Sequence, residues 1–182
     1  MKEIDTAALR QEIPSLRAGE RVLLSGTVYT ARDEAHAALF RLLDAEEPLP
    51  FDLKDAAIYY AGPTPGRNGM PVGSCGPTTS SRMDGFTPRL LGLGLAAMIG
   101  KGDRSDAVVE AIRENGAVYF AAVGGAGALM AKHITAAEVI AFPELGCEAV
   151  RRLTVEKMPL TVAVDAQGND LFRAARARWA RK

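Results

Sequence analysis

Between Arg21 and Val164 short apolar runs, each closed by a glycine or proline turn, alternate with stretches of helical periodicity. None of the runs suits anything longer than a short strand. Arg21–Tyr29 (RVLLSGTVY) is predicted to be a strand. Thr30 would then cap a helix reaching Leu43, because Ala35, Leu39, Leu42 and Leu43 recur at helical spacing and Asp33 and Glu34 occupy the first turn. Ala56–Ala61 reads as a second strand running into Gly62-Pro63-Thr64-Pro65-Gly66, which cannot be helical. A helix start is expected within Thr78–Asp84, a helix over Phe86–Leu95, a strand over Ala96–Ile99 and a helix over Ser105–Asn115 ended by Gly116. Strands over Ala117–Val123, Val139–Phe142 and Leu160–Val164 follow, with a tight Gly124–Gly127 turn and a short Ala128–Lys132 helix between them. This alternation implies an α/β or β/β/α layered domain around a largely buried sheet.

The chain of 182 residues, 48% hydrophobic and 24% charged, is long enough for one domain with a real core. Twenty-two basic and 22 acidic residues give zero formal charge, so nothing draws it to nucleic acid or an anionic membrane. The longest apolar stretch, Leu90–Ile99, falls well short of the ~20 residues needed to cross a bilayer. Met1–Ser15 has no apolar core, so no secretory signal is expected and the cytoplasm is the default. Cys75 and Cys147 lie far apart with no metal-binding spacing, and His36 and His133 add no ligand set. Arg173–Lys182 carries five basic residues and Trp179 with no acid, and reads as a basic tail, with Trp179 packed back on the domain or docking a partner.

The most informative motif is Gly76-Pro77-Thr78-Thr79-Ser80-Ser81-Arg82. Thr78 and Arg82 share a face if the run is helical, so a hydroxyl and a guanidinium could converge on one carboxylate or phosphate; ordinary N-capping is the competing reading. Gly100-Lys101-Gly102 leaves Lys101 on an open loop after a buried strand, where α/β sheets commonly bind ligands. It lacks the phosphate-loop spacing, and Gly92-Leu93-Gly94 precedes a strand where a dinucleotide fingerprint would follow one. Gly124-Gly125-Ala126-Gly127 could aim N–H groups at an anion or simply be a crossover turn. Arg32 at the end of the first strand reads either as a surface residue paired with its neighbours Asp33 or Glu34 or, because an arginine in a first helical turn opposes the helix dipole, as one that calls for another anion. His36 reads first as a packing residue with catalysis as the alternative, and Cys75 as filler. Three cations and a hydroxyl loop suit a small dicarboxylate, which is as far as the chemistry alone reaches.

Tyr29-Thr30-Ala31-Arg32-Asp33 with His36, Tyr60-Ala61-Gly62-Pro63-Thr64-Pro65, Gly76 to Asp84, Ile99-Gly100-Lys101-Gly102, Gly124-Gly125-Ala126, Pro143-Glu144-Leu145-Gly146 and Asp165 to Asn169 follow one another in order. In this the chain resembles the β subunit of class I, iron-sulfur-dependent fumarate hydratases and L(+)-tartrate dehydratases. The resemblance covers about residues 5–172. It implies a swivelling β/β/α domain over residues 1–172, followed by the 173–182 tail. It also implies a two-subunit hydro-lyase, α2β2, in which a separate α subunit binds the 4Fe-4S cluster and this chain binds no metal. It places Arg32, Arg82 and Lys101 around the substrate carboxylates and makes Thr78 the proton-transfer group. The implied reaction is reversible hydration of fumarate to L-malate, with iron of the partner as Lewis acid. Arg82-Met83-Asp84, Gly102-Asp103-Arg104-Ser105 and Gly124-Gly125 resemble the fumarate branch more than the tartrate branch. A tartrate dehydratase β subunit and a stand-alone dicarboxylate-binding module are the alternatives.

Overall fold

The computed structural model describes residues 1–180. In chain order the elements are β1 (Lys2–Asp5), α1 (Leu9–Glu12), β2 (Arg21–Thr30), α2 (Asp33–Asp44), β3 (Ala57–Tyr59), α3 (Thr87–Gly92), β4 (Ala97–Gly100), α4 (Asp106–Glu114), β5 (Val118–Ala121), α5 (Gly127–Ala131), β6 (Ile134–Ala141), β7 (Val150–Val164) and α6 (Leu171–Trp179). Strands β2, β3, β4 and β5 lie side by side and parallel. Strand β7 runs antiparallel to β5 on one side and to β2 on the other, and so closes the sheet on itself like a small barrel. β1 extends the edge of β2, and β6 that of β7. The fold is thus mixed α/β with flanking helices, as the alternation of apolar runs predicts, while the closure of the sheet by β7 goes beyond the layered arrangement expected from it.

Two-residue periodicity divides the side chains between two cores. Ala57 and Tyr59, Ala97 and Ile99, and Val118 and Phe120 point into the closed sheet with Val22, Leu24, Val28 and Leu160. Ile58, Met98 and Tyr119 point outward and pack beneath the helices through Ala35, Leu39, Leu90, Val108 and Ile112. Burying each such large aliphatic side chain stabilises the fold by about 1.5–3 kcal/mol. α4 begins as its sequence requires: Ser105 Oγ accepts from the N–H of Val108 and Asp106 sits in the first turn.

The structure departs from the sequence reading at several points. Thr30 does not cap α2. It is the buried last residue of β2, its hydroxyl accepting from Arg151 N–H and donating to the Ala149 carbonyl, and Arg32 occupies the N-cap position. The final strand is fifteen residues long, Val150–Val164, where the sequence suggests only Leu160–Val164. Its alternation is broken by a bulge in the pairing with β2 between Leu24 and Gly26, facing Lys157 with φ of 49°, so the apolar positions Leu153, Val155 and Met158 lose the two-residue period. β6 starts at Ile134, five residues before the expected Val139. β1 shows one buried residue, Ile4, and so carries no periodic signal. Trp179 is 76% exposed and does not pack back on the domain. α6 is held instead by Arg173 against Asp170 and Asp106 and by Arg176 against Asp103. Residues 181 and 182 of the expected tail lie outside the described residues. Among the described residues no helix is long and apolar enough to cross a membrane.

Candidate active site

In an open α/β sheet ligands commonly bind outside the carboxyl ends of the parallel strands. All four residues singled out by the sequence sit there. Arg32 follows β2, Thr78 joins the end of β3, Lys101 follows β4, and Arg82 is carried by a turn laced to both.

The lacing is backbone chemistry. Thr78 N–H donates to the Tyr60 carbonyl at 2.7 Å, beside the isolated bridge between Ala61 and Pro77. Thr79 bridges Lys101, Ser80 N–H donates to the Lys101 carbonyl at 2.9 Å, and Lys101 N–H donates to Ser80 Oγ at 3.0 Å. The Tyr119 hydroxyl lies 2.9 Å from both Ser80 Oγ and the Gly102 carbonyl. A phenol has one hydrogen, so it donates to the carbonyl and accepts from Ser80. Gly100 makes this approach possible, because a Cβ there would sit 1.9 Å from Ser80 Oγ. The hydroxyl run is therefore mostly structural at Ser80, which is buried, while Thr78 stays half-buried and Thr79 exposed.

The 3-10 turn Ser80–Met83 turns Arg82 toward α2, where its Nη2 donates to Asp33 Oδ2 at 2.5 Å with 45% of its side chain exposed. Burial raises the Asp33 carboxyl, but its hydrogen bonds to Arg82 and to its own helix N–H, with the charges of Arg82 and Arg32, carry it below the ordinary value. Arg32 lies over Gly62, where a Cβ would come within 2.9 Å of its Nη1. Its Nη2 is 3.3 Å from Glu148 Oε1, and its Nε is buried without a partner. Glu148 Oε2 accepts from Glu34 N–H at 3.0 Å, so this carboxylate also caps the bare start of α2. The anion that Arg32 calls for thus comes, in part, from within the chain. Lys101 forms no ion pair among the described residues, and its chain passes Gly124, where a Cβ would lie 3.4 Å from Cδ and 3.9 Å from Nζ. Among these five groups the three cations Arg32, Arg82 and Lys101 outnumber the two carboxylates Asp33 and Glu148, and each cation is at least partly exposed.

His36 is fully buried. Its Nδ1–H donates to the Arg32 carbonyl at 2.8 Å and its Nε2 has no partner. Burial pulls its pKa down to about 4, so it is a neutral packing residue against Tyr60 and Phe86. Gly124–Gly127 is the crossover turn: Gly127 packs on Gly76, and its carbonyl accepts from Cys75 N–H. Sequence reasoning considered Asp33 only as a neighbour of Arg32 and missed its pairing with Arg82, missed Glu148, and gave no role to Arg104, which is buried beside Asp84. The signals available for Arg104 were its closeness to Lys101 in sequence and its place in the Gly102-Asp103-Arg104-Ser105 motif.

A cubane cluster needs about three or four thiolates. Burial pushes the Cys75 thiol up to about 12, and Cys147 is exposed on a different segment. Among the described residues no group of three His, Cys, Asp or Glu is arranged to hold a metal. The residues of this chain do not fit an iron-sulfur cluster.

Comparison with known proteins gives these positions a family. The chain is 41% identical over 166 residues to fumarate hydratase 2 of Leishmania major, an alignment covering 90% of this chain and 29% of that protein. It is 43% identical over 155 residues to the anaerobic class I fumarate hydratase of Escherichia coli K12, covering 84% of this chain and 28% of the relative. It is 38% identical over 169 residues to the putative L(+)-tartrate dehydratase subunit beta of Methanocaldococcus jannaschii, covering 90% of this chain and 87% of that one. The chain thus spans under a third of the fumarate hydratases and nearly all of the tartrate dehydratase subunit. The family model described as Fumarase C-terminus matches residues 1–175, and the chain belongs to that family.

Proposed function

We propose that this chain is the β subunit of a two-subunit hydro-lyase that interconverts fumarate and L-malate. The observation that supports the reading is the gathering of Arg32, Thr78, Arg82 and Lys101 on segments that leave the carboxyl ends of β2, β3 and β4, with more cations than paired carboxylates. Identities of 41–43% to fumarate hydratases, against 38% to the tartrate dehydratase subunit, favour fumarate over tartrate. The opposite preference rests on length, since the chain matches 87% of that subunit.

In this reading Arg32, Arg82 and Lys101 bind the two carboxylates and hold the extra negative charge that develops as the C3 proton of malate leaves. Arg82 and Arg32 trade or share their present partners, Asp33 and Glu148, with the substrate. Thr78 carries the proton. A threonine hydroxyl is a weak acid, so this role requires the flanking positive charge of Arg82 and Lys101. The 4Fe-4S cluster belongs to the α subunit, where it supplies Lewis acidity toward the substrate. The domain of residues 1–172 would swivel against that partner in an α2β2 assembly, with residues 173–182 as its tail. The unpaired thiols of Cys75 and Cys147 suit the reducing cytoplasm.

The test is anaerobic assembly with a purified cluster-bearing α chain, followed by assay on L-malate, fumarate and both tartrates. The proposal expects turnover by the complex alone, with fumarate and L-malate preferred. Dicarboxylate binding by this chain alone, with no gain of activity on adding α, would make it a binding module instead. A preference for L(+)-tartrate would move it to the other branch.

A further inference from the structure

Arg104 is the most deeply buried cation among the described residues, 3% exposed as a residue, and none of the roles above uses it. Its Nε donates to Asp84 Oδ1 at 2.7 Å and its Nη2 to Thr87 Oγ1 at 2.7 Å. The guanidinium lies over two rings, 5.4 Å from the centroid of Tyr60 and 4.9 Å from that of Tyr119. Its Nη1 has no partner. A buried pair of this kind adds little net stability, because desolvation offsets the attraction. What it does fix is geometry. A planar fork with stacked faces holds its neighbours in one arrangement, which an ammonium cannot do.

Those neighbours are the site. Arg104 belongs to the loop that begins with Lys101, whereas Asp84 and Thr87 close the segment that carries Thr78 and Arg82. Asp84 repeats the link with its second oxygen, accepting from Ser105 N–H at 2.7 Å. The Tyr60 carbonyl accepts the Thr78 N–H, and the Tyr119 hydroxyl, on the second ring beside the guanidinium, holds Ser80 and Gly102. The backbone segments that carry Thr78, Arg82 and Lys101 thus each meet this side chain or one of the two rings beside it, while the Arg82 guanidinium itself pairs with Asp33. Arg32 alone is held elsewhere, by Glu148.

We propose that Arg104 is a positioning residue for the hydro-lyase reaction, its fork setting the Lys101 loop against the Thr78–Arg82 segment. The proposal rests on the hydro-lyase reading, and it separates binding from alignment. A change at Arg104 leaves the substrate-facing side chains in place chemically but loosens their mutual spacing, and misplacement by about 1 Å can cost a reaction as much as ~100-fold.

Two measurements decide it. In the assembled complex, Arg104→Lys should lower kcat roughly tenfold or more while KM for L-malate moves less than about threefold, the pattern of lost transition-state alignment. The melting midpoint should stay within a few degrees of wild type, and Arg104→Met should show the same split with a larger loss in kcat. Wild-type kcat in folded Arg104→Lys, or a loss that only follows the fraction unfolded, would overturn the proposal. Hydrogen exchange on the chain alone provides the second readout. The amides of Ser80, Lys101 and Ser105 should exchange about tenfold faster together in Arg104→Lys, with β2 and β7 unchanged. Unchanged exchange at those three amides, or a uniform rise everywhere, would refute the clamp. An inactive wild-type complex would count against the hydro-lyase reading itself, and the exchange experiment would then decide the clamp independently.

Discussion

Replacing His36 by Phe removes a titration that the fold has to suppress. The imidazole is fully buried, its Nε2 has no hydrogen-bond partner, and its pKa falls from 6.5 to about 4 because burial penalises the charged ring. The folded chain therefore keeps His36 neutral while the unfolded chain protonates it near 6.5. In the window between the two values the unfolded state holds the extra proton, so stability falls as pH falls from 6.5 toward 4. At about 1.4 kcal/mol per pH unit, the loss on going from pH ~7.5 to pH ~4.5 is about 2.5 kcal/mol. Asp33 does not interfere: its depressed carboxyl gives up stability only as pH falls below the ordinary value of 3.8. In His36→Phe the Arg32 carbonyl keeps the backbone N–H of residue 36 as donor, and the ring still packs on Tyr60 and Phe86. Urea unfolding of both chains across this range is the assay, and the slope of stability against pH is the readout. The wild type should lose about 2.5 kcal/mol that the variant keeps. Equal slopes would show that His36 is not held neutral and that its burial has been misread.

Arg82→Ala should abolish most turnover of the complex, roughly 100-fold or more, as removal of a charge-stabilising donor does. Its stability should change by less than about 1 kcal/mol, because the Asp33 pair is half-exposed. Global unfolding in a thermal melt would place Arg82 in the fold and not at the site. Lys101→Met should lower kcat/KM roughly tenfold to 100-fold with an unchanged melting midpoint, and unchanged kinetics would remove Lys101 from substrate binding. Gly100→Ala forces a methyl to 1.9 Å from Ser80 Oγ and 2.9 Å from the Tyr60 ring, which should destabilise by about 1–3 kcal/mol and impair turnover together. A wild-type melt for that variant would contradict the packing described around Ser80.

How much of this was legible in sequence follows from how local each feature is. Strands β2, β3 and β4 and helix α4 announce themselves through short-range periodicity, a serine cap and glycine stops, and their boundaries lie within a few residues of those expected. Of the four candidate site residues, Thr78 and Lys101 stand beside a proline and two glycines that mark the ends of buried segments, whereas Arg32 and Arg82 carry no such mark and were singled out by the dipole argument, the hydroxyl run and the family resemblance. β7 was not, since its bulge interrupts the two-residue pattern and its partner β2 lies more than a hundred residues away. The ion pairs were hidden for the same reason. Arg82 meets Asp33 across 49 positions, and Glu148 reaches α2 across 114. No spacing rule connects such pairs. Thr30 misled because a threonine before an acidic helix start fits a cap equally well until the strand ladder shows where its hydroxyl goes.

The central claim, that this polypeptide supplies one charged half of a shared site, is tested most directly by titrating it into a fixed amount of the anaerobic α chain while following the ultraviolet absorbance of fumarate. The account predicts no rate from either chain alone and a rate that climbs with added chain until it saturates at a fixed ratio. Full activity of α without this chain, or a rate indifferent to the amount added, would contradict it.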